Sequence, residues 1–223
     1  MSYVVRKVCK VQLKTRYPTY EIRHSSTIDL PAFPALIHFP ALNMSRTVTL
    51  VDELGKKLST TDILDAHTGL GKLHLAFSVY VFDPTKTQVL IQRRSQEKML
   101  WPTIWANTCC SHPFEGESPS EAGERRLQEE LGVRTHLSEG PRFVYRADDP
   151  WGTGVEHEYV TILIGTMDPK TPLRPDPMEV METKWMNIDE LLSDMTCEPH
   201  QYAPWFHIGL RKILASDGAR RIS

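Results

Sequence analysis

The sequence predicts an α/β (α+β) fold, a mixed sheet flanked by helices, in a single domain behind an N-terminal extension. Three observations lead there. Strand-like runs recur through residues 45–223, one strongly capped helix stands among them, and residues 1–44 differ in composition from the rest of the chain. Strands mixed with a few helices bury their apolar faces against one another in such layers.

The extension carries Arg6, Lys7, Lys10, Lys14, Arg16 and Arg23 against only Glu21 and Asp29. Pro18, Pro31, Pro34 and Pro40 interrupt every candidate element. A basic, acid-poor start of this kind fits a targeting peptide or an unstructured extension equally well. Phe33 to Phe39 is an apolar stretch suited to docking on the domain.

The domain, residues 45–223, opens with a strand at Thr47 to Val51. Leu73 to Phe82 alternates as a strand does, Asp83-Pro84 turns the chain, and Gln88 to Arg93 forms the next strand. Leu90 and Gln92 then share one face, Ile91 and Arg93 the other. The clearest helix covers 118–131. Ser118 is its N-cap, Pro119 suits the first turn, and Glu121 completes a capping box. Gly123, Leu127 and Leu131 make an apolar stripe, and Gly132 stops the helix. Further strands are expected at about 142–146, 158–166 and 183–188, and a last helix from Trp205 to about Ser216.

The 223 residues suit one domain with an appendage. A net charge of −2 gives no sign of nucleic acid or an anionic membrane as partner. Cys9, Cys109, Cys110 and Cys197 show no disulfide framework, which favours a reducing compartment. No apolar run approaches the ~20 residues that span a bilayer. The expectation is a cytoplasmic chain, unless residues 1–44 address it to an organelle, with a monomer as the default.

Some side chains suit chemistry. Glu156 and Glu158 lie two apart on a strand, so both carboxylates point to one face and His157 to the other. With His67, His74 and His112 they offer imidazole and carboxylate donors for a divalent ion such as Zn²⁺, Mn²⁺ or Mg²⁺. Scattered surface or core histidines explain the same spacing. In Asn107-Thr-Cys-Cys-Ser-His-Pro113, Cys110 and His112 share a face if extended. A thiol beside a metal has a lowered pKa and exchanges protons; a buried structural cysteine is the alternative. On the helix, Arg126 and Glu130 are four apart. They fit a solvated salt bridge, or a phosphate contact beside a magnesium ligand. Arg93, Arg94 and Lys98 lie upstream and either add positive charge there or form a solvated basic face.

Together, Leu73-His-Leu-Ala-Phe77, Asn107-Thr-Cys-Cys-Ser-His-Pro113 and Val155-Glu-His-Glu158 resemble type 1 isopentenyl diphosphate isomerase, a family with a Nudix fold. The likeness covers about residues 47–215. It implies conversion of isopentenyl diphosphate into dimethylallyl diphosphate in isoprenoid biosynthesis. It implies that His67, His74, His112, Glu156 and Glu158 bind a catalytic divalent metal. Cys110 would be one acid–base group and Glu158 the other, with Tyr145 assisting. Glu130 would reach Mg²⁺ on the diphosphate, and Arg94, Lys98 and Arg126 would match the family's phosphate clamp. Trp205 falls where the family has a tryptophan facing the isoprenoid. One departure stands out: where some members carry a diphosphate-binding lysine, this chain has Ile63, leaving Lys72 or another residue to compensate.

Two rival readings remain. A Nudix diphosphate hydrolase has Arg-Glu-(apolar)-x-Glu-Glu-x-Gly on its helix, whereas Arg125-Arg126-Leu127-Gln128-Glu129-Glu130-Leu131-Gly132 replaces one metal-binding acid by arginine. A non-enzymatic, metal-stabilised binding module would need neither Cys110 nor Trp205 in a pocket.

Overall fold

The computed structural model describes residues 46–152 and 154–220; the expectations for residues 1–44 lie outside the described residues. The chain runs β1 (Thr47–Val51), β2 (Lys57–Asp62), a single turn α1 (Ile63–Ala66), β3 (His74–Phe82) and β4 (Gln88–Arg94). Two short strands, β5 (Trp105–Ala106) and β6 (Cys109–Ser111), precede α2 (Pro119–Leu131). Then come β7 (Ser138–Asp148), β8 (Val155–Thr166), β9 (Val180–Asn187), α3 (Ile188–Cys197), a 3₁₀ turn at Pro199–Gln201, and α4 (Pro204–Arg220).

The sheet is mixed and curls around β3. This strand pairs antiparallel with β1, β4 and β6 along different stretches, and parallel with β8 along its whole length from His74↔Glu158 to Phe82↔Thr166. β7 flanks β8, and β9 flanks β4. Because β3 is covered on both faces, its sequence is nearly continuous in apolar residues. Phe77, Val79 and Val81 face α2 and pack with Leu90, Leu127, Leu131 and Leu163. Ala76, Tyr80 and Phe82 face the other way, onto Ile91, Val160, Ile162, Phe206 and Leu210.

The expected helix is present with its expected ends. Ser118 accepts from the Glu121 amide, and the Glu121 carboxylate accepts from the Ser118 amide. Gly132, left-handed at φ 69°, closes the helix. Gly123 is required for packing: a Cβ there would sit 2.5 Å from Leu163 Cδ1 and 2.7 Å from Leu137 Cδ1. Leu90 and Gln92 do share the α2 face, since Gln92 Nε2 donates to Glu130 at 3.5 Å.

Several elements go beyond the expected set. β2 is a polar edge strand whose exposed side chains carry no alternation. β5 and β6 are too short for a period to register. α3 takes the place of the last residue of the strand expected at 183–188: Asn187 caps it, accepting from the amides of Asp189 and Glu190. β7 extends past 142–146 in both directions across an irregularity between Glu139 and Arg142.

Candidate active site and metal centre

The parallel register of β3 and β8 sets His74 beside Glu158, and the antiparallel register of β3 and β6 sets Ser78 beside Cys110. His67 follows the α1 turn and is fixed by its own Nδ1, which lies 2.8 Å from Ile63 O. The start of β8 locks onto the same place: Val155 N donates to His67 O at 2.9 Å. Gly154 permits this approach, because a Cβ there would meet His67 O at 2.5 Å.

These registers bring the expected metal donors together. Ligand atoms of His67, His74, His112 and Glu158 all lie within 4.8 Å of one another. His74 Nε2 is 3.1 Å from His112 Nε2, and His112 Nε2 is 3.1 Å from Glu158 Oε1. Glu156 stands at the edge of this group, with Oε2 3.0 Å from His67 Nε2. That oxygen is buried and lacks a hydrogen bond of good geometry among the described residues. The other ring nitrogens are oriented by carbonyls, His67 Nδ1 by Ile63 and His74 Nδ1 by Lys72 at 2.7 Å. This aims the Nε2 atoms at a common point, as outer contacts of metal-binding histidines do. His157 points away, toward Gly71 O.

Two of the three rings are held in the form that binds a metal. Burial, together with the neighbouring imidazoles, pushes His74 down to about 4 and His112 to about 3. Burial also opposes charge on His67, but Glu156 outweighs it and raises that ring to about 9. Two rings are thus neutral at pH 7, and neutral imidazole is the metal-binding form. Three crowded imidazoles, two carboxylates and an under-satisfied buried oxygen fit a divalent ion.

A cleft of about 440 Å³ opens beside this cluster. Cys110, Glu158, Tyr145, Trp205, Arg94 and Lys98 are among the residues that line it. Tyr145 donates its hydroxyl hydrogen to Glu158 Oε2 at 2.8 Å. Cys110 Sγ donates to Asn107 Oδ1 at 3.0 Å and sits 3.6 Å from Ser78 Oγ. Burial pushes Cys110 up to about 12 despite the bonds to Ser78 and Asn107 and the charge of Arg94. The protein's own groups therefore hold it protonated. Trp205 is only 3% exposed, packs edge-on against Trp101 at 5.4 Å, and has the Arg94 guanidinium 5.4 Å from its ring centre.

The remaining phosphate candidates are arranged differently. Arg126 Nη2 meets Glu130 at 2.5 Å and Glu179 at 2.9 Å, while Nη1 meets Glu129 at 2.8 Å. Neither Arg126 nor Glu130 borders the cleft; both are buried behind its wall. Lys98 is paired with Glu179 at 2.6 Å, and Arg94 donates to the carbonyls of Leu100 and Trp101. Lys72 contacts Thr61 and Asp65 and does not line the cleft. Sequence reasoning missed Arg46 and Glu179, both on the cleft wall, because each stands in irregular chain outside any motif. Asn107 stands inside a motif, but its role as the acceptor for Cys110 emerges only from the geometry.

Comparison with known proteins now decides the family. A NUDIX domain model matches residues 72–206. The chain is 46% identical over 158 residues to a protein of Nocardia farcinica named isopentenyl-diphosphate Delta-isomerase, covering 71% of this chain and 89% of that one. The chain belongs to the NUDIX family and, within it, to the isopentenyl-diphosphate Delta-isomerases. A second isomerase of that name, from Halorhodospira halophila, is 40% identical over 172 residues, covering 77% of this chain and 97% of its own. Among solved structures, a Deinococcus radiodurans protein superposes with a TM-score of 0.54 at 19% identity, covering 68% of this chain and 89% of its own. The MutT protein of Methanosarcina mazei gives 0.53 at 12% identity, covering 65% and 95%. These two show the same fold. No helix among the described residues is long and apolar enough to cross a membrane.

Proposed function

We propose that this chain interconverts isopentenyl diphosphate and dimethylallyl diphosphate, in keeping with its isomerase relatives. The observation that carries the reading is that Cys110 and a Tyr145-bonded Glu158 border one cleft walled by Trp205.

The reaction adds a proton at one carbon and removes another two carbons away, through a tertiary carbocation. A thiol held protonated and a carboxylate held by a phenol are two groups able to give and take those protons. A forward turnover leaves the thiol deprotonated and the carboxylate protonated, and the reverse reaction or proton exchange with water between turnovers restores each. Trp205, buried and backed by Trp101, gives the cleft an apolar wall that keeps water from the cation. The electron-rich face of Trp205 stabilises it. Arg94 and Lys98 attract the diphosphate.

His67, His74, His112, Glu156 and Glu158 would hold one divalent ion, Mg²⁺, Mn²⁺ or Zn²⁺. Such an ion, when bound, supplies positive charge that lowers the proton affinity of Glu158. Glu130 would serve a second ion, Mg²⁺ on the diphosphate, with Arg126 on the phosphate oxygens. Their mutual salt bridge must then loosen as substrate enters.

The hydrolase reading loses support from the same helix. Arg126 stands where a hydrolase has one of its metal-binding acids, so the helix offers one carboxylate fewer for metal. The test is incubation with isopentenyl diphosphate while following dimethylallyl diphosphate and free phosphate. Isomer without phosphate is expected. Phosphate release would favour the hydrolase, and neither product the binding module.

A further inference from the structure

Arg46 immediately precedes β1, and its carbonyl accepts the amide of Ile63 at 2.8 Å. Positions 46 and 63 are therefore neighbours, and both line the cleft. The Arg46 side chain is partly buried and anchored by one bond, from Nη2 to Ser111 Oγ at 2.8 Å. Its other N–H groups have no acceptor among the described residues.

That distinguishes it from the cations around it. Lys98 is held by Glu179, Arg126 by Glu129, Glu130 and Glu179, and Arg94 by two backbone carbonyls. Of these four cations, only Arg46 meets neither a carboxylate nor a carbonyl among the described residues. Burial and the nearby Arg126 charge both weigh against its own charge, and Glu179 offsets this only in part. A planar guanidinium with spare parallel donors suits the oxygens of a phosphate.

We propose that Arg46 binds the substrate's diphosphate group, supplying from position 46 the charge that Ile63 cannot supply. The proposal rests on the isomerase reading of this cleft. It also accounts for how a chain with Ile63 still presents an open cation there. Lys98 and Arg46 border the same cleft as Cys110 and Trp205, so a diphosphate held by the two cations leaves the five-carbon chain for the thiol and the indole.

The test measures binding of inorganic pyrophosphate with Mg²⁺ by calorimetry, alongside KM and kcat for isopentenyl diphosphate. The variants are Arg46→Gln, Arg46→Met, Arg46→Lys, and Arg46→Gln combined with Ile63→Lys. Each uncharged variant is expected to weaken pyrophosphate binding and raise KM about tenfold, the scale of one charge-assisted hydrogen bond, with kcat changing less. Arg46→Lys should retain most of the affinity, and Ile63→Lys should restore part of what Arg46→Gln loses. Unchanged pyrophosphate binding in a folded uncharged variant overturns the proposal. So does an equal loss in Arg46→Lys accompanied by loss of bound metal, which would make Arg46 a prop for Ser111. If the wild type binds pyrophosphate but forms no isomer, the isomerase reading fails while the pyrophosphate comparison still decides the role of Arg46.

Discussion

The hydroxyl of Tyr145 donates a hydrogen bond of 2.8 Å to Oε2 of Glu158. Burial and the Glu158 charge together raise Tyr145 well above the usual phenol value, so it stays a donor throughout the working pH range. The bond fixes the orientation of the Glu158 carboxylate. Removing it with Tyr145→Phe should cost about 1.5–3 kcal/mol in the steps that use that carboxylate, as bonds to charged groups do. The expected outcome is a fall in kcat of roughly ten- to a hundredfold with KM little changed. Steady-state kinetics on isopentenyl diphosphate check it, and a variant with wild-type kcat would remove Tyr145 from the mechanism.

The centre should depend on its metal as a unit. Because ligand atoms of His67, His74, His112 and Glu158 converge within 4.8 Å, deleting one donor leaves the rest unable to close around an ion. His74→Ala and Glu156→Gln are each expected to lose bound metal and turnover together. Elemental analysis of purified variants checks this. A chelator should inactivate the wild type, and added divalent ions should restore it. Full metal content in Glu156→Gln would leave the buried Oε2 of Glu156 a purely structural group.

Much of this site was legible in the sequence, for a local reason. Glu156 and Glu158 share a strand face by the two-residue period, and Cys110 and His112 do the same around β6. Ser118, Glu121 and Gly132 gave the one helix its ends by capping chemistry that needs no tertiary context. What was not legible depends on register between distant segments. That His74 lies beside Glu158 follows from pairing residues 84 positions apart. The burial that raises the Cys110 thiol comes from packing around the cleft, so no reading of its neighbours in sequence gives it. The pairing of Arg126 with Glu130 was half legible: the four-residue spacing gave the contact, but Glu179, which helps to draw Arg126 behind the wall, arrives from a loop 53 positions away.

Glu179 gives the fold an acid limb. Burial alone would raise its carboxyl, but Lys98 and Arg126 overcome this and depress it from the usual 4.5 to about 2. A carboxylate depressed in the folded state contributes stability above its unfolded value and loses it as pH falls toward the folded one. Its contribution should therefore be complete at pH 7 and disappear between about 4.5 and about 2. Glu179→Gln is expected to be less stable than wild type at pH 7 and to approach it at the acid end of that window. Urea unfolding at several pH values measures the difference. A gap between the two proteins that stays constant down to the acid end would contradict this assignment.

Gly123 offers a test of the α2 contact without touching the cleft. A Cβ at that position meets Leu163 Cδ1 at 2.5 Å and Leu137 Cδ1 at 2.7 Å, both in the tightly packed layer below the sheet. Gly123→Ala should gain helix propensity yet lose about 1–3 kcal/mol to overpacking. Thermal unfolding should show a lowered Tm while the kinetics of the folded enzyme stay near wild type. An unchanged or raised Tm would show that Leu163 and Leu137 can give way.

The two adjacent cysteines separate chemistry from packing. Strand β6 turns them to opposite faces: Cys109 is fully buried in the layer with Phe77, Leu127 and Leu131, whereas Cys110 borders the cleft. Cys109→Ala removes only a core sulfur, so it should cost about 1 kcal/mol of stability and leave turnover nearly intact. Cys110→Ala removes one of two proton-transfer groups and should abolish isomerisation while the fold persists. Cys110→Ser should keep a small residual rate, since a hydroxyl bonded to Asn107 can still relay a proton poorly. Glu158→Gln should also be inactive, with loss of metal as an added cause. The measurement is turnover in D₂O, with deuterium in substrate and product followed by mass spectrometry. Wild type should place solvent deuterium in dimethylallyl diphosphate, because the donor thiol and carboxyl exchange with water between turnovers. Turnover without solvent deuterium would argue against protonation by exchanging groups. Near wild-type turnover in Cys110→Ala, with Cys109→Ala inactive, would mean that the chemistry belongs to the core-facing sulfur, which the opposite facing of the two side chains on β6 forbids.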